Sequence, residues 1–476
     1  MMSSLRKSII SGTIWSVGGQ ILYLSVILLT NIWLARVLSP DEFGQIGIIM
    51  FFITISNSLI ESGLGGALVR KKDKSAIDYS TVFILNLVVS IFCFLILLMF
   101  SSSIATFYED LALKNLLIAS GAILIVNAFQ IVQRAKVVSE MKFKLQSFFK
   151  LASVLLGSIV GVVSAYNDCG TWSLVYMNLT GSISLTLFYW IAEGISFSIK
   201  FSKKSFRELY SFGVNTTLAS FLNTIFDNVY QLVLGKYFNV GQVGLYYQAK
   251  RLQDVPGGII DMVSQNVIFS GLAQLQDDKK SFIEVYNKIS LIFIVVLGFI
   301  SCFIYVYSEQ IVLILLGDKW LDAAFFMQML TIASFFYYQE RINKVIFKVF
   351  NKTHQILYLE FFKKGIQIIS IIIGIKYMDV NLLMIGFIMT SIIGYGINYY
   401  FSRKVLGINN KHEIVVFLKV MLISIISIFI IYFINRLISG IYTQLITVPF
   451  LIILYFGGLY VLNIFNVFEL INKVRD

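Results

Sequence analysis

Proline, cysteine and histidine are nearly missing from this chain, with three, three and two residues among 476. Cys93, Cys169 and Cys302 fall in separate segments without a CxxC spacing, and His354 and His412 fall in expected connecting loops. Neither a disulfide framework nor a metal site is signalled, and no cofactor is expected. Charge is scarce as well: 13% of residues are Asp, Glu, Lys or Arg, against about 25% in soluble domains. Long polar connections are also lacking. The longest, about residues 193–209, is too short to fold alone, since a soluble domain needs at least ~50 residues. Whatever chemistry the protein performs must therefore take place inside a bilayer.

What the chain has in abundance is apolar sequence, 58% of all positions. Windows of about 20 apolar residues recur near 11–37, 43–68, 80–103, 113–133, 148–166, 171–192, 210–235, 243–269, 286–307, 321–347, 356–376, 381–401, 414–435 and 441–464. Segments this long and this continuously apolar satisfy their backbones only as helices, not as barrel strands. The first follows Arg6 and Lys7 but outruns a signal-peptide core, so it is expected to remain as an uncleaved helix. The reading is an all-α polytopic membrane protein of about 14 transmembrane helices.

Cations set the expected orientation. With the N-terminus inside, the clusters at 69–75, 133–150, 200–209, 277–280 and 402–404 share one side. Of the 38 Lys and Arg, six (Arg36, Lys114, Lys236, Lys319, Lys376, Arg436) lie near the opposite face, and Lys250 and Arg251 lie within the eighth span. The positive-inside rule then places both termini in the cytoplasm. The net charge of +12 is mostly topological and faces anionic lipid, so nucleic acid is not an expected partner.

A 200-residue offset aligns Leu34 with Leu234, Arg36 with Lys236, Gly44 with Gly244, Ile60 with Ile260 and Glu61 with Asp261. It suggests two pseudo-symmetric six-helix lobes, 1–200 and 201–405, around a central cavity, with 406–476 adding two C-terminal helices.

Polar residues inside the spans fall in stripes. At 100° per residue, Lys250, Asp254 and Asp261 lie within about 40° of one another, with Tyr247 slightly further round. Thr216, Ser220, Asn223, Asp227 and Gln231 keep to a sector of roughly 80° on span seven. Thr54, Asn57, Ser58 and Glu61 mark span two, and Ser16, Gln20 and Asn31 mark span one. Thr331, Ser334, Tyr338 and Arg341 mark span ten; Glu360, Lys363, Lys364 and Gln367 mark span eleven. One central Asp, Lys or Arg costs about +2.5 to 3.5 kcal/mol against lipid, so Asp227, Lys250, Arg251, Asp254 and Asp261 together would cost on the order of 12–18 kcal/mol unpaired. They must face protein or water. An internal Lys250–Asp254 pair at i, i+4 would serve span eight alone; a water-filled cavity also accounts for span seven. Lys363 and Lys364 could instead snorkel, and Arg341 and Lys344 stand close enough to the cytoplasmic end for a solvated role. Pro256, Gly257 and Gly258 interrupt span eight, where missing backbone bonds would make a hinge.

The run from Ser11 to Asp73, with Trp15, "LARVLSPDEFG" (34–44) and "GLGGALVR" (63–70), resembles the opening of the Wzx-type polysaccharide transporters. These are lipid-linked oligosaccharide flippases of the multidrug/oligosaccharidyl-lipid/polysaccharide (MOP) exporter superfamily. "LGKYFNVGQVGLYYQAKRLQDVP" (234–256), "LAQLQDD" (272–278) and "LLGDKWLDAAFFMQML" (315–330) are similar too, so the likeness covers most of residues 8–360. It implies a V-shaped pair of lobes around a cationic cavity in the bacterial inner membrane. The cargo would be an undecaprenyl-pyrophosphate-linked oligosaccharide for O-antigen, capsule or exopolysaccharide. It also implies proton- or sodium-coupled transport, with a polysaccharide polymerase and a chain-length regulator as expected partners.

Such a cargo cannot cross hydrocarbon unaided, because each unpaired polar group costs several kcal/mol. Lys250 and Arg251 are the expected pyrophosphate ligands. Tyr247, Asn223, Asn57 and Gln20 would meet sugar hydroxyls, and Lys363, Lys364 and Arg341 complete the expected substrate set. Asp227, Asp254, Asp261 and Glu61 either neutralise these cations between cycles or exchange the coupling ion, with Asp227 preferred because no cation lies within one turn of it. A multidrug antiporter of the same superfamily would want an acid-dominated pocket instead. A lipid II flippase shares the pyrophosphate chemistry. A membrane glycosyltransferase or ligase would need a large outer loop, and a scaffold needs no intramembrane charge; an enzyme is not expected.

Overall fold

The computed structural model describes residues 2–61, 68, 74–194, 200–264, 268–408, 411–437 and 443–464. Most of "GLGGALVR" and the side chains of Ser16, Thr216, Asp261 and His412 lie outside the described residues, and with Asp261 goes one expected ion-coupling acid.

Among the described residues fourteen long helices follow one another, near the apolar windows of the sequence. They are α1 (Met2–Val37), α2 (Pro40–Ile60), α3 (Ala76–Phe107), α4 (Ala112–Ser139), α5 (Phe143–Tyr166), α6 (Trp172–Glu193) and α7 (Lys203–Tyr237). There follow α8 (Val240–Val263), α9 (Lys279–Val306), α10 (Ala323–Val349), α11 (Thr353–Tyr377), α12 (Val380–Leu406), α13 (Lys411–Leu437) and α14 (Thr443–Val461). Short helices at Phe269–Ala273 and Ser308–Leu315 lie between them.

Among the described residues nine helices are long and apolar enough to cross a membrane, namely α1 from Val17, α2 to α6, α9, α12 and α13 from Glu413. In α14 the apolar part is shorter, Ile446–Val461. The other four, α7, α8, α10 and α11, are as long but carry the charges and amides that formed stripes in the sequence. The protein is thus a multi-pass, all-helical membrane protein in which polarity is concentrated on a few helices.

The chain forms two compact units, Met1–Gln248 and Ala249–Asp476, with the division falling inside α8. In the first, α5 packs along α6, α3 along α4, α1 along α5, and α2 against α4 and α7. Small residues allow these approaches: a Cβ on Gly157 would lie 2.6 Å from the Met177 carbonyl oxygen. In the second, α12 packs on α10 and α11, and α9 on α10 and α13. Its core stacks Phe417 on Phe335 and Tyr395, with ring centroids 5.2 and 4.8 Å apart. The Tyr455 hydroxyl on α14 donates to the Val295 carbonyl at 2.8 Å, tying α14 to α9.

The motif "SPDEFG" is a helix start. The Ser39 hydroxyl accepts from the Glu42 amide at 3.4 Å while the Glu42 carboxylate accepts from the Ser39 amide at 2.6 Å, and Pro40 opens the first turn. Two hundred residues later Asn239 does the same work, its Oδ1 accepting from the Gln242 amide at 2.7 Å before α8. The two starts touch reciprocally. A Cβ on Gly44 would lie 1.9 Å from the Val240 carbonyl oxygen, and one on Gly244 would lie 1.8 Å from that of Pro40. The Gly44/Gly244 match at the 200-residue offset is thus a backbone-on-backbone crossing that no side chain could enter.

Candidate functional site

The stripe on α7 is surface. Of its described members, Ser220, Asn223 and Asp227 are exposed and Gln231 is buried. On α8, Tyr247, Lys250 and Arg251 are half-buried and Asp254 is exposed. The helix continues past Pro256 to Val263, so the proline does not end it. Gly257 is buried, and a Cβ there would lie 1.9 Å from the Tyr338 hydroxyl. One turn before it, the Gln253 side-chain amide donates to the Ser334 hydroxyl. Gly257 therefore lets α8 lie against α10, and Ser334 and Tyr338 of the α10 stripe belong to that contact. Gly258 is exposed.

The most concentrated charge lies on α10 and α11. Glu340 is fully buried. One of its carboxylate oxygens faces the Lys344 ammonium at 2.5 Å and the other faces Lys363 at 2.8 Å. Lys344 also pairs with Glu360. The result is an alternating chain of two acids and two lysines. Arg341 stacks its guanidinium 4.6 Å from the centre of the Tyr337 ring and donates to the Tyr337 hydroxyl. The Lys363 ammonium lies 5.2 Å from the centre of that ring. On α12, Gly394 leaves the room, since a Cβ there would lie 2.8 Å from Glu340 Oε2. The expected solvated role of Lys344 is corrected: its side chain is 14% exposed and held by two carboxylates. Lys364 is half-buried beside this cluster in sequence.

A second polar seam joins α2 and α4. Asn127 donates to Asn57 Oδ1 at 3.3 Å, Gln130 donates to Asn127 Oδ1 at 2.8 Å, and Arg134 pairs with Glu61 at 3.1 Å. The last pair is open, with side chains 38% and 57% exposed. Gln20 on α1 is half-buried.

Arg403, counted in the sequence among the surface cations of one side, is buried instead. It pairs with Glu413 at the start of α13 and donates to the Tyr286 hydroxyl at 3.2 Å. Glu413 accepts from Ser290 at 2.6 Å, and Asn343 accepts from Tyr286 at 3.1 Å and Ser402 at 3.0 Å. This network joins α9, α10, α12 and α13 and is an anchor for α13.

The sequence reading missed Glu340, Arg134 with the α4 amides, and the Arg403–Glu413 pair. Signals existed: Glu340 and Lys344 stand at i, i+4, and Asn127, Gln130 and Arg134 recur at helical spacing on a helix otherwise read as apolar. Among the described residues no group of three or more His, Cys, Asp or Glu is placed to hold a metal ion.

Charge thus lies both in helix contacts and along exposed helix faces of an all-helical membrane protein. In fold, the chain is similar to the lipid II flippase MurJ in an inward closed conformation, with a TM-score of 0.74 at 17% identity over 95% of this chain and 98% of that one. An inward-facing multidrug resistance MATE transporter of the MOP superfamily is also similar, with a TM-score of 0.63 at 15% identity over 82% and 94%. In sequence, the model of the polysaccharide biosynthesis protein family matches residues 33–325, and the chain belongs to that family. The lipopolysaccharide biosynthesis protein WzxC of Escherichia coli is 24% identical over 426 residues, covering 87% of this chain and 84% of that protein. The resemblance first carried by "LARVLSPDEFG" and its neighbours is thereby established.

Proposed function

We propose that the protein carries an undecaprenyl-pyrophosphate-linked oligosaccharide from the cytoplasmic to the outer leaflet of the bacterial inner membrane by alternating access, coupled to a proton or sodium gradient. The family supports a cargo from polysaccharide biosynthesis. The observation that carries the reading is the placement of ionic and amide side chains on exposed or half-exposed faces of α7 and α8, which are flanked in the chain by apolar spans. A carboxylate such as Asp227 facing lipid would be costly. A water-filled passage removes that cost and gives a hydroxyl-rich head group a route with continuous hydrogen bonding, while the isoprenoid tail stays in lipid.

Lys250 and Arg251 would attract the pyrophosphate, with Tyr247 and Asn223 contacting sugar. Asp227 and Asp254, both exposed, remain the proposed exchangers of the coupling ion. Deletion of the gene should make one lipid-linked oligosaccharide accumulate in the cytoplasmic leaflet, and reconstituted protein should move that lipid across vesicles. Absence of accumulation, together with no movement in vesicles, overturns the proposal. Lipid II is the second cargo to assay, because the fold is that of a lipid II flippase as well.

A further inference from the structure

Helix α4, which carries one side of the α2–α4 seam, holds more hydrogen-bonding capacity than the protein uses. Gln130 is 6% exposed; its amide nitrogen donates to Asn127, while Oε1 of the same carboxamide has no partner. One turn on, Gln133 is 2% exposed and neither its nitrogen nor its oxygen has a partner. Buried amides left idle are destabilising, and native proteins keep few of them without a use. These two stand on the same helix as Asn127 and Arg134, and the seam opens to the surface at the Arg134–Glu61 pair.

We propose that this seam, with the adjoining face of α4, is a sugar-binding subsite, reading the hydroxyl pattern of the glycan, with Gln130 and Gln133 as specificity-determining residues on the helix that also carries Asn127. The inference rests on the flippase reading above. A carboxamide offers a donor and an acceptor in one plane, matching a hydroxyl that is both donor and acceptor. Neighbouring hydroxyls on a pyranose ring can thus engage successive amides along α4. The Arg134–Glu61 pair brings one acceptor and one donor group to the exposed end of the seam.

The test measures binding of two lipids to the full chain in nanodiscs by tryptophan fluorescence: the lipid-linked oligosaccharide extracted from the deletion strain, and undecaprenyl pyrophosphate bearing no sugar. Wild-type protein should prefer the sugar-bearing lipid. In Gln130→Leu/Gln133→Leu the ratio of the two affinities should fall about tenfold, as expected for losing two or more hydrogen bonds. The thermal midpoint should hold or rise in Gln133→Leu alone, where both amide atoms are idle, and should fall modestly in the double variant, which also loses the bond from Gln130 to Asn127. An unchanged ratio in a stable variant overturns the subsite while leaving the flippase reading standing. Failure of wild-type protein to bind either lipid overturns both. If the double variant does not fold, Gln133→Met, nearly isosteric, carries the same comparison; a ratio within twofold of wild type then refutes the proposal.

Discussion

Neutralising Glu340 should destabilise this protein more than neutralising any exposed acid. In Glu340→Gln the fully buried carboxylate between Lys344 and Lys363 becomes an amide of nearly the same volume. Lys344 keeps Glu360 as a partner. Lys363, 13% exposed, keeps the face of Tyr337, which Arg341 already occupies with its own cation. Breaking a buried pair by removing one partner costs about 3–5 kcal/mol, because the other charge stays buried. The control is Glu61→Gln, where the pair with Arg134 is open to the surface and the cost should stay below about 1 kcal/mol. Unfolding of both variants in the same detergent, followed by circular dichroism, gives the comparison. Glu340→Gln/Lys363→Met should recover much of the loss, since the orphaned cation is gone. The reasoning fails if Glu340→Gln unfolds within 1 kcal/mol of wild type, as about 1 kcal/mol is the ceiling for exposed pairs. It also fails if the double variant is as unstable as the two single losses added together.

Further outcomes follow from the same geometry. Gly44→Ala should impair folding, because its Cβ would meet the Val240 carbonyl oxygen at 1.9 Å. Gly396→Ala on α12 has nothing within 4 Å and should be neutral or stabilising; yield of monodisperse protein checks both. Lys250→Glu and Arg251→Glu should abolish transport of the pyrophosphate-linked lipid in vesicles while leaving a folded protein by size exclusion. Asp278 caps α9, accepting from the Ser281 hydroxyl at 2.5 Å and from the amides of Ser281 and Lys280 at 3.2 and 3.1 Å. The Ser281 hydroxyl first, then the amides, hold its carboxyl below the usual range. A depressed folded pKa stabilises above the unfolded value and is lost as pH falls through the folded one. The gap in thermal midpoint between wild type and Asp278→Ala should therefore narrow as the pH is taken through the acidic range below about 4.

The helices were legible in the sequence because lipid imposes a length and a composition on each span. The stretches that open α2 and α8 stood out in the sequence as family motifs, although only the fold shows that they are helix starts and why Gly44 and Gly244 must both be glycine. The polar stripes on α7 and α8 were visible because a charge inside a span breaks the background. What one helix cannot show is which side chain on another helix answers it. Lys363 looked like a substrate cation until Glu340 was seen beside it, and Lys344 and Arg403 looked solvated until their carboxylates appeared. The α4 amides recur at helical spacing, but their partnership with Asn57 emerges only from packing.

These contacts divide the intramembrane charges into two kinds. Glu340, Lys344, Glu360 and Lys363 form a chain whose members satisfy one another, and Arg403 and Glu413 form a buried pair; each of these groups lies within the second unit and joins helices there. Asp227, Asp254, Glu61 and Arg134 are at the surface of their helices instead. A charge inside a closed pair must break a costly contact before it can meet a ligand, whereas a charge on a wet face exchanges one hydrogen-bond partner for another at small net cost. Repeated loading and release of a cargo needs the second kind. Substitutions in the closed groups should therefore appear first as lost stability, and substitutions on the open faces as lost transport by a folded protein. A variant set measured for both properties should separate along that line, and Lys363 is the decisive member, being expected from sequence to bind substrate and found within the closed chain. If Lys363→Met, in a Glu340→Gln background that restores the balance of charge, transports normally, its part is structural and the search for the anion site narrows to Lys250 and Arg251.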